Sequence, residues 1–279
     1  MMEQTQRYNA RLLAMEIAAL LLALLFLVPF YFVVVNSLKS FGDLMRNAAG
    51  WPEAFRWDNY SKVWEIMKFP RAFMNSLLIT VLSNAGLVLI SAMAAYRILR
   101  RPTVFNRVLF VLFIAAMVIP FQSIMIPLVK VASEVGLMDS RFGLIICYFG
   151  FGVSLNLFLY HGFMKSIPLE IEEAAVVDGC TPYGVFWRIV FPLLKPMTIT
   201  ILILNSLWIW NDFLLPLLVL HSADIRTIPL QTYSFFGQYT KQWDLALAGL
   251  VLGVAPMVAF FLLMQKHIIA GISAGAVKG

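Results

Sequence analysis

Four residues stand close together inside an otherwise apolar stretch: Asn205, Trp208, Asn211 and Asp212. On a helix, positions 205, 208 and 212 share one face, because residues three and four apart lie one above the other. An indole plane beside amide and carboxylate groups suits a sugar, whose hydroxyls take hydrogen bonds while its ring packs on the aromatic face. The same groups could instead bond between helices or pack at a subunit interface, since a polar side chain in hydrocarbon needs a partner in any case. Gln122 and Ser123 beside Pro120, and Asn156, are lesser candidates of the same kind.

Signatures of catalysis do not occur. The sequence holds no His-Glu-x-x-His pair, no Gly-x-Ser-x-Gly elbow and no paired intramembrane aspartates, and its histidines stand at 161, 221 and 267. Cys147 and Cys180 lie far apart without metal-ligand spacing, so neither a metal centre nor a disulfide is expected. No Gly-x-x-x-x-Gly-Lys-Ser/Thr loop is present to cradle nucleotide phosphates. A carrier driven by ions needs ionisable groups within the membrane. Here Asp212 is the one acid well inside a block, with Glu16 and His161 nearer block ends.

The elements that must position these residues follow from composition. Of 279 residues, 61% are hydrophobic and 13% charged, against roughly 45–50% and 25% in soluble domains. The apolar residues form six blocks: Leu12 to Val35, Ala72 to Tyr96, Val108 to Val129, Phe142 to Met164, Pro196 to Leu220 and Leu245 to Gln265. Each reaches the ~20 residues that a helix needs to cross a ~30 Å hydrocarbon core. They lack the period-2 alternation of barrel strands, and the first is longer than the core of a secretory signal. The expectation is an all-α membrane protein of six transmembrane helices, a single domain over 1–279 with its core at 71–266. The net charge of +6 meets anionic lipid head groups rather than nucleic acid, because the basic residues flank spans. An even number of spans puts both termini on one side. The cluster Arg97, Arg100, Arg101 and Arg107 between the second and third blocks predicts that side to be cytoplasmic.

Two loops remain outside. The stretch from Asn36 to Arg71 mixes charges with Trp51, Phe55, Trp57, Tyr60, Trp64 and Phe69. It fits an aromatic belt at the membrane surface or a docking surface for an external partner. The loop from His221 to Asp244 carries Gln231, Tyr233, Phe235, Phe236, Gln238 and Tyr239, which could reach into an external protein or lie at the interface.

The stretch Lys165 to Lys195 is punctuated as two short helices. Pro168 fits a first helical turn, Glu170, Glu172 and Glu173 put negative charge at the positive end of the dipole, and Gly179 stops the helix in a left-handed conformation. Thr181 and Pro182 repeat the start signal, and Pro192 interrupts the second segment. Ala174 and Ala175 expose little side chain, so another protein can approach the backbone closely, with Ile171 as an apolar contact one turn earlier. An ordinary interfacial hairpin has the same composition.

The spacing Glu173-Ala174-Ala175, three residues, Gly179, nine residues, Ile189, one residue, Phe191, Pro192 resembles the EAA loop of ATP-binding-cassette importer permeases. Phe191 stands where that pattern has Leu, a large apolar residue in either case. Trp210-Asn211-Asp212-Phe213 is similar to the Trp-Asn-Asp signature of the carbohydrate branch, the maltose and multiple-sugar permeases, and Ala270 to Gly279 is similar to its glycine-rich tail.

The resemblance implies a type I importer transmembrane domain in the plasma or inner membrane of a prokaryote. It implies a second homologous permease, a cytoplasmic ATPase dimer that binds ATP and Mg, and an external solute-binding protein. The chain itself would carry no cofactor and no catalytic residue. Pro168 to Gly179 would be the coupling helix, with Glu173, Ala174, Ala175, Asp178, Gly179, Ile189 and Pro192 at the ATPase contact. Asn205, Trp208, Asn211 and Asp212 would line the passage. The tail from Gly271 would touch the ATPase pair or fray. The alternatives are an ion-coupled carrier and a permease of this kind for a non-sugar solute.

Overall fold

The computed structural model describes residues 10–236 and 242–276, with side-chain environments for 12–236 and 242–265. Gln238, Tyr239 and the side chains of the Gly271 to Gly279 tail, all singled out above, lie outside the described residues. Every regular element described is helical. The chain packs as two compact units, Met1–Ile66 with Thr232–Val254 and Met67–Gln231 with Ala255–Gly279.

In the first unit, α1 (Ala10–Ser37) covers the first apolar block and leaves its side chains exposed, Phe26 at 74% and Leu25 at 65%. Apolar exposure all round is what a helix surrounded by lipid shows. Past it the chain turns into α2 (Phe41–Arg46), capped by the Ser40 hydroxyl, which accepts from the Asp43 amide, and α3 (Asp58–Ile66). The segment between closes on Lys39, which is buried. Its ammonium donates to the carbonyls of Asn47 at 2.9 Å, Ala48 at 3.3 Å and Gly50 at 2.6 Å. Three acceptors match the three protons of an ammonium, so the buried cation is satisfied. Asn59 donates to the Ser37 and Lys39 carbonyls at 2.9 Å each. Outside this cage lie exposed rings in file, Trp51 edge-on to Phe55 and Phe55 stacked on Trp57, at 6.1 Å each.

The second unit is built on α4 (Phe69–Arg100) and α7 (Arg141–Met164). Small residues let them approach. A Cβ on Gly152 would meet Leu87 at 2.7 Å, and one on Gly86 would overlap the Phe149 ring. The third apolar block, read from sequence as one span, is two helices, α5 (Val104–Val118) and α6 (Phe121–Glu134), bent by 108°. The cause is Pro120. It offers no amide proton, and it drives Ile119 into extended backbone at φ −74°, ψ 118°.

After α7 come α8 (Leu169–Val177), α9 (Pro182–Val185), one widened π turn (Phe186–Val190), α10 (Phe191–Leu193) and α11 (Lys195–Asn211). In the widened turn the Phe191 amide reaches the Phe186 carbonyl. It falls immediately before Pro192, which has no amide to continue the ladder. Pro182–Leu193 then meets α11 at 70°. The fifth apolar block is also interrupted. Asp212 is extended (ψ 131°) and the chain resumes as α12 (Leu214–Val219), followed by α13 (Ile228–Tyr233) and the long α14 (Trp243–Ala276).

By length and composition four described helices can cross a membrane, and six spans result if each bent pair counts as one. The span count from sequence thus holds with two of the six broken.

Candidate functional site

The loop 165–195 is held from beneath by an ion pair. Glu172 is 5% exposed. The Arg100 guanidinium donates to its Oε1 through Nε at 2.8 Å, with a second nitrogen at 2.6 Å, and the Tyr96 hydroxyl donates to its Oε2 at 2.9 Å. Arg100 also donates to the Ile167 carbonyl at 3.2 Å. Both carboxylate oxygens are therefore satisfied by the last turn of α4, a charge-assisted geometry that tolerates burial. Ala175, one turn on, is buried in the cluster formed by Tyr160, Met164, Val185, Phe186 and Val190. Ile189 and Phe191 are half-buried against the same cluster.

The far side of α8 is open. Glu173, Ala174 and Asp178 are exposed, as are Ile171 at 43%, Val176 at 57% and Val177 at 87%. The helix ends in two bonds that define a glycine stop: Gly179 N–H to Val176 O at 3.0 Å and Cys180 N–H to Ala175 O at 2.9 Å. Gly179 sits at φ +85°, which is why this corner asks for glycine. A Cβ there would meet nothing within 4 Å. Thr181 then caps α9 by accepting from the Gly184 amide at 3.2 Å, and Pro192 lies exposed beyond the widened turn.

The helix expected from Pro168 is present as α8, and its glutamates divide differently from the sequence expectation. Glu173 faces outward and Glu172 holds the helix down. Ala175, expected to face a partner with Ala174, points into the core instead. The signal that identifies Glu172 is its spacing of three from Ala175, which puts both on the inward face.

The four residues of the fifth block separate. Asn205 is 2% exposed and its amide nitrogen has no partner among the described residues. Asn211 is exposed and donates to the Leu207 carbonyl of its own helix at 2.7 Å. Asp212 lies past the helix end. Its Oδ2 accepts from the Tyr148 hydroxyl at 3.0 Å and its Oδ1 accepts from the Leu214 amide at 3.1 Å, so it caps α12. Trp208, 40% exposed, stands edge-on to Tyr148 at 5.4 Å.

Trp208 and Asp212 meet again in a cavity of about 340 Å³ with Met117, Ile119, Phe121 and Phe151. Its walls come from the break at Pro120 and the break at Asp212, two of the places where the described helices are interrupted. Asn156 is buried in α7 with both amide atoms unpartnered among the described residues, and Gln122 and Ser123 are exposed on α6. Transporter membrane domains place their binding sites where helices are broken and irregular backbone lines a cavity.

These features define a helical membrane component of a transporter, with a cavity between broken spans and a protruding two-helix loop. Residues 86–274 match the family described as the binding-protein-dependent transport system inner membrane component, and the chain belongs to that family. It is accordingly a non-catalytic permease subunit of an ATP-binding-cassette importer, and the ion-coupled carrier is set aside.

Over 93% of this chain and 94% of the relative, it is 43% identical to the probable starch degradation products transport system permease protein AmyC of Thermoanaerobacterium thermosulfurigenes. It is 40% identical to the multiple sugar-binding transport system permease protein MsmG of Streptococcus mutans, over 91% and 93%. With the melibiose/raffinose/stachyose import permease protein MelC of Bacillus subtilis it shares 36%, over 97% and 99%. The fold is similar to that in the crystal structure of a bacterial ABC transporter involved in the import of the acidic polysaccharide alginate, with a TM-score of 0.78 at 22% identity over 94% of this chain and 99% of that one.

Proposed function

We propose that this chain imports sugars, most simply oligosaccharides, as one of two homologous permeases served by a solute-binding protein outside and an ATPase dimer inside. In this reading 1–279 acts as one transmembrane domain with cytoplasmic termini, and the loop 165–195 faces the ATPase. ATP and Mg bind to that partner.

One observation carries the coupling role. α8 is pinned to the end of α4 by Glu172 while its outer edge leaves Val176, Val177 and the open Gly179 corner uncovered. A helix rigidly joined to a span on one side and bare on the other transmits a push without bending. Closure of the ATPase dimer then moves the spans as a body, which opens the central path to each side in turn. The sugar reading draws on the names of the relatives above. It also draws on the exposed indole of Trp208, which offers a ring face at the cavity. Asp212 and Asn211, bonded within the protein, leave direct contact to Trp208.

The loop 221–236 leads back from α12, and its partner-binding role belongs to the same proposal. It is tied to the unit by Asp139, which accepts from the His221 and Ser222 amides and the Ser222 hydroxyl.

Two glycines test the coupling reading in the assembled transporter. Gly179 and Gly136 both have positive φ, +85° and +71°, and open space where a Cβ would go. Backbone strain alone predicts equal effects of Gly179→Asp and Gly136→Asp. Uptake of labelled oligosaccharide by vesicles should be abolished in the first and largely kept in the second. Equal uptake by both variants rejects an ATPase seated on the corner.

A further inference from the structure

Beside the anchored loop, at the end of α4, lies a second cavity of about 410 Å³ lined by Met93, Arg97 and Arg101 together with Tyr183 and Phe186. We propose that it is a binding site for the head group of an anionic phospholipid. The proposal requires only that the chain be embedded in a membrane, and does not depend on the coupling role.

The argument starts from charge. Arg100, which also borders the cavity, is committed to Glu172. Arg97 and Arg101 are exposed and in no ion pair among the described residues. Two guanidinium groups one turn apart form a fork that matches the oxygens of a phosphodiester. No acid lines the cavity to compete for them.

Polarity along the helix selects lipid over a free anion. Met93, one turn before Arg97, is 43% exposed and belongs to the apolar part of α4. Phe186 closes the opposite wall and packs on the Tyr96 ring at 5.2 Å. The cavity is therefore apolar toward the membrane interior and cationic at the helix end, the same order as acyl chain and head group in a phospholipid. Inorganic phosphate would use the arginines and waste the rest. Tyr183, 74% exposed, stands at the mouth, where aromatic side chains with a polar tip sit at the head-group level.

The test uses the assembled transporter in nanodiscs of phosphatidylcholine containing phosphatidylglycerol, with bound phosphatidylglycerol counted by native mass spectrometry during titration. R97Q/R101Q should weaken retention by roughly tenfold to thirtyfold, the loss expected from two cationic contacts. R97K/R101K should fall between R97Q/R101Q and the unaltered protein, because the charge survives without the guanidinium fork, and millimolar inorganic phosphate should not displace the lipid. A photoactivatable phosphatidylglycerol applied to the unaltered transporter should label the segments around Met93 and Tyr183, a readout that stands even if R97Q/R101Q fails to assemble. Unchanged retention in R97Q/R101Q, displacement by phosphate, or labelling confined to other segments overturns the proposal. So does a variant that sheds the ATPase while its lipid stays bound, for the arginines would then be serving an acidic protein surface.

Discussion

In the segment 38–66 a lysine points inward, and in the segment 165–195 a glutamate does. Lys39 collects three carbonyls of its own loop, whereas Glu172 reaches out of its loop to Arg100 and Tyr96 on the long helix α4. The first arrangement folds a loop upon itself, and the second fastens a loop to a span. What each leaves outside differs in the same sense. The lysine cage presents Trp51, Phe55 and Trp57, while α8 presents Ile171, Val176 and Val177 beside a glycine corner. Flat aromatics with polar edges suit a lipid–water boundary. Small aliphatic residues on a short, rigid helix suit a socket in another protein. A buried charge tells what a loop moves with, and its bare face tells what it meets.

Breaking each anchor separates the two cases. Glu172→Ala leaves Arg100 half-paired and mostly buried, and loss of one partner of a buried pair costs about 3–5 kcal/mol. Thermal unfolding of the solubilised transporter should fall accordingly and uptake should vanish, while Glu173→Ala, changing an exposed residue, keeps its melting temperature. A Glu172→Ala variant that melts and transports normally removes the lever from this account.

Lys39→Met deprives three loop carbonyls of their donor, at about 1–3 kcal/mol for the groups left unsatisfied. The melting temperature should drop by less than for Glu172→Ala, and uptake per folded transporter should be retained. Loss of uptake without loss of stability would mean that this loop, too, transmits motion.

The smallest effect falls at Asp139. Bonds from Ser222 and the backbone amides of Ser222 and His221 lower its carboxyl from 3.8 to about 2. A depressed carboxyl contributes stability above its unfolded value and loses it as protons bind to the folded form. The wild type should therefore lose stability between pH 4 and pH 2, a window given by those two values. Asp139→Asn should flatten that part of the profile, and an unchanged profile shows that the tie does not matter to folding.

Much of this was legible beforehand because membrane physics leaves few options. Block length and the absence of charge define spans, and the proline, glycine and threonine punctuation of 168–182 marks its two helices to within a residue or two. Pro120 was visible too, but the apolar run continues across it, so hydropathy hides the 108° bend that the missing amide produces. Asp212 read as a helix-face residue from its spacing with Trp208. Its partners, Tyr148 and the Leu214 amide, sit on other elements or beyond the break, and no periodicity within one block reveals them. Arg100 looked like one charge among four in a topology signal. Only packing shows that it is the counter-ion of Glu172.

Photo-cross-linking from position 177 measures the central claim directly. With a photoreactive residue replacing Val177, which is 87% exposed on α8, in the assembled transporter, the account predicts adducts with the ATPase subunit that depend on the nucleotide present. Adducts formed only with lipid or with the external binding protein would contradict it.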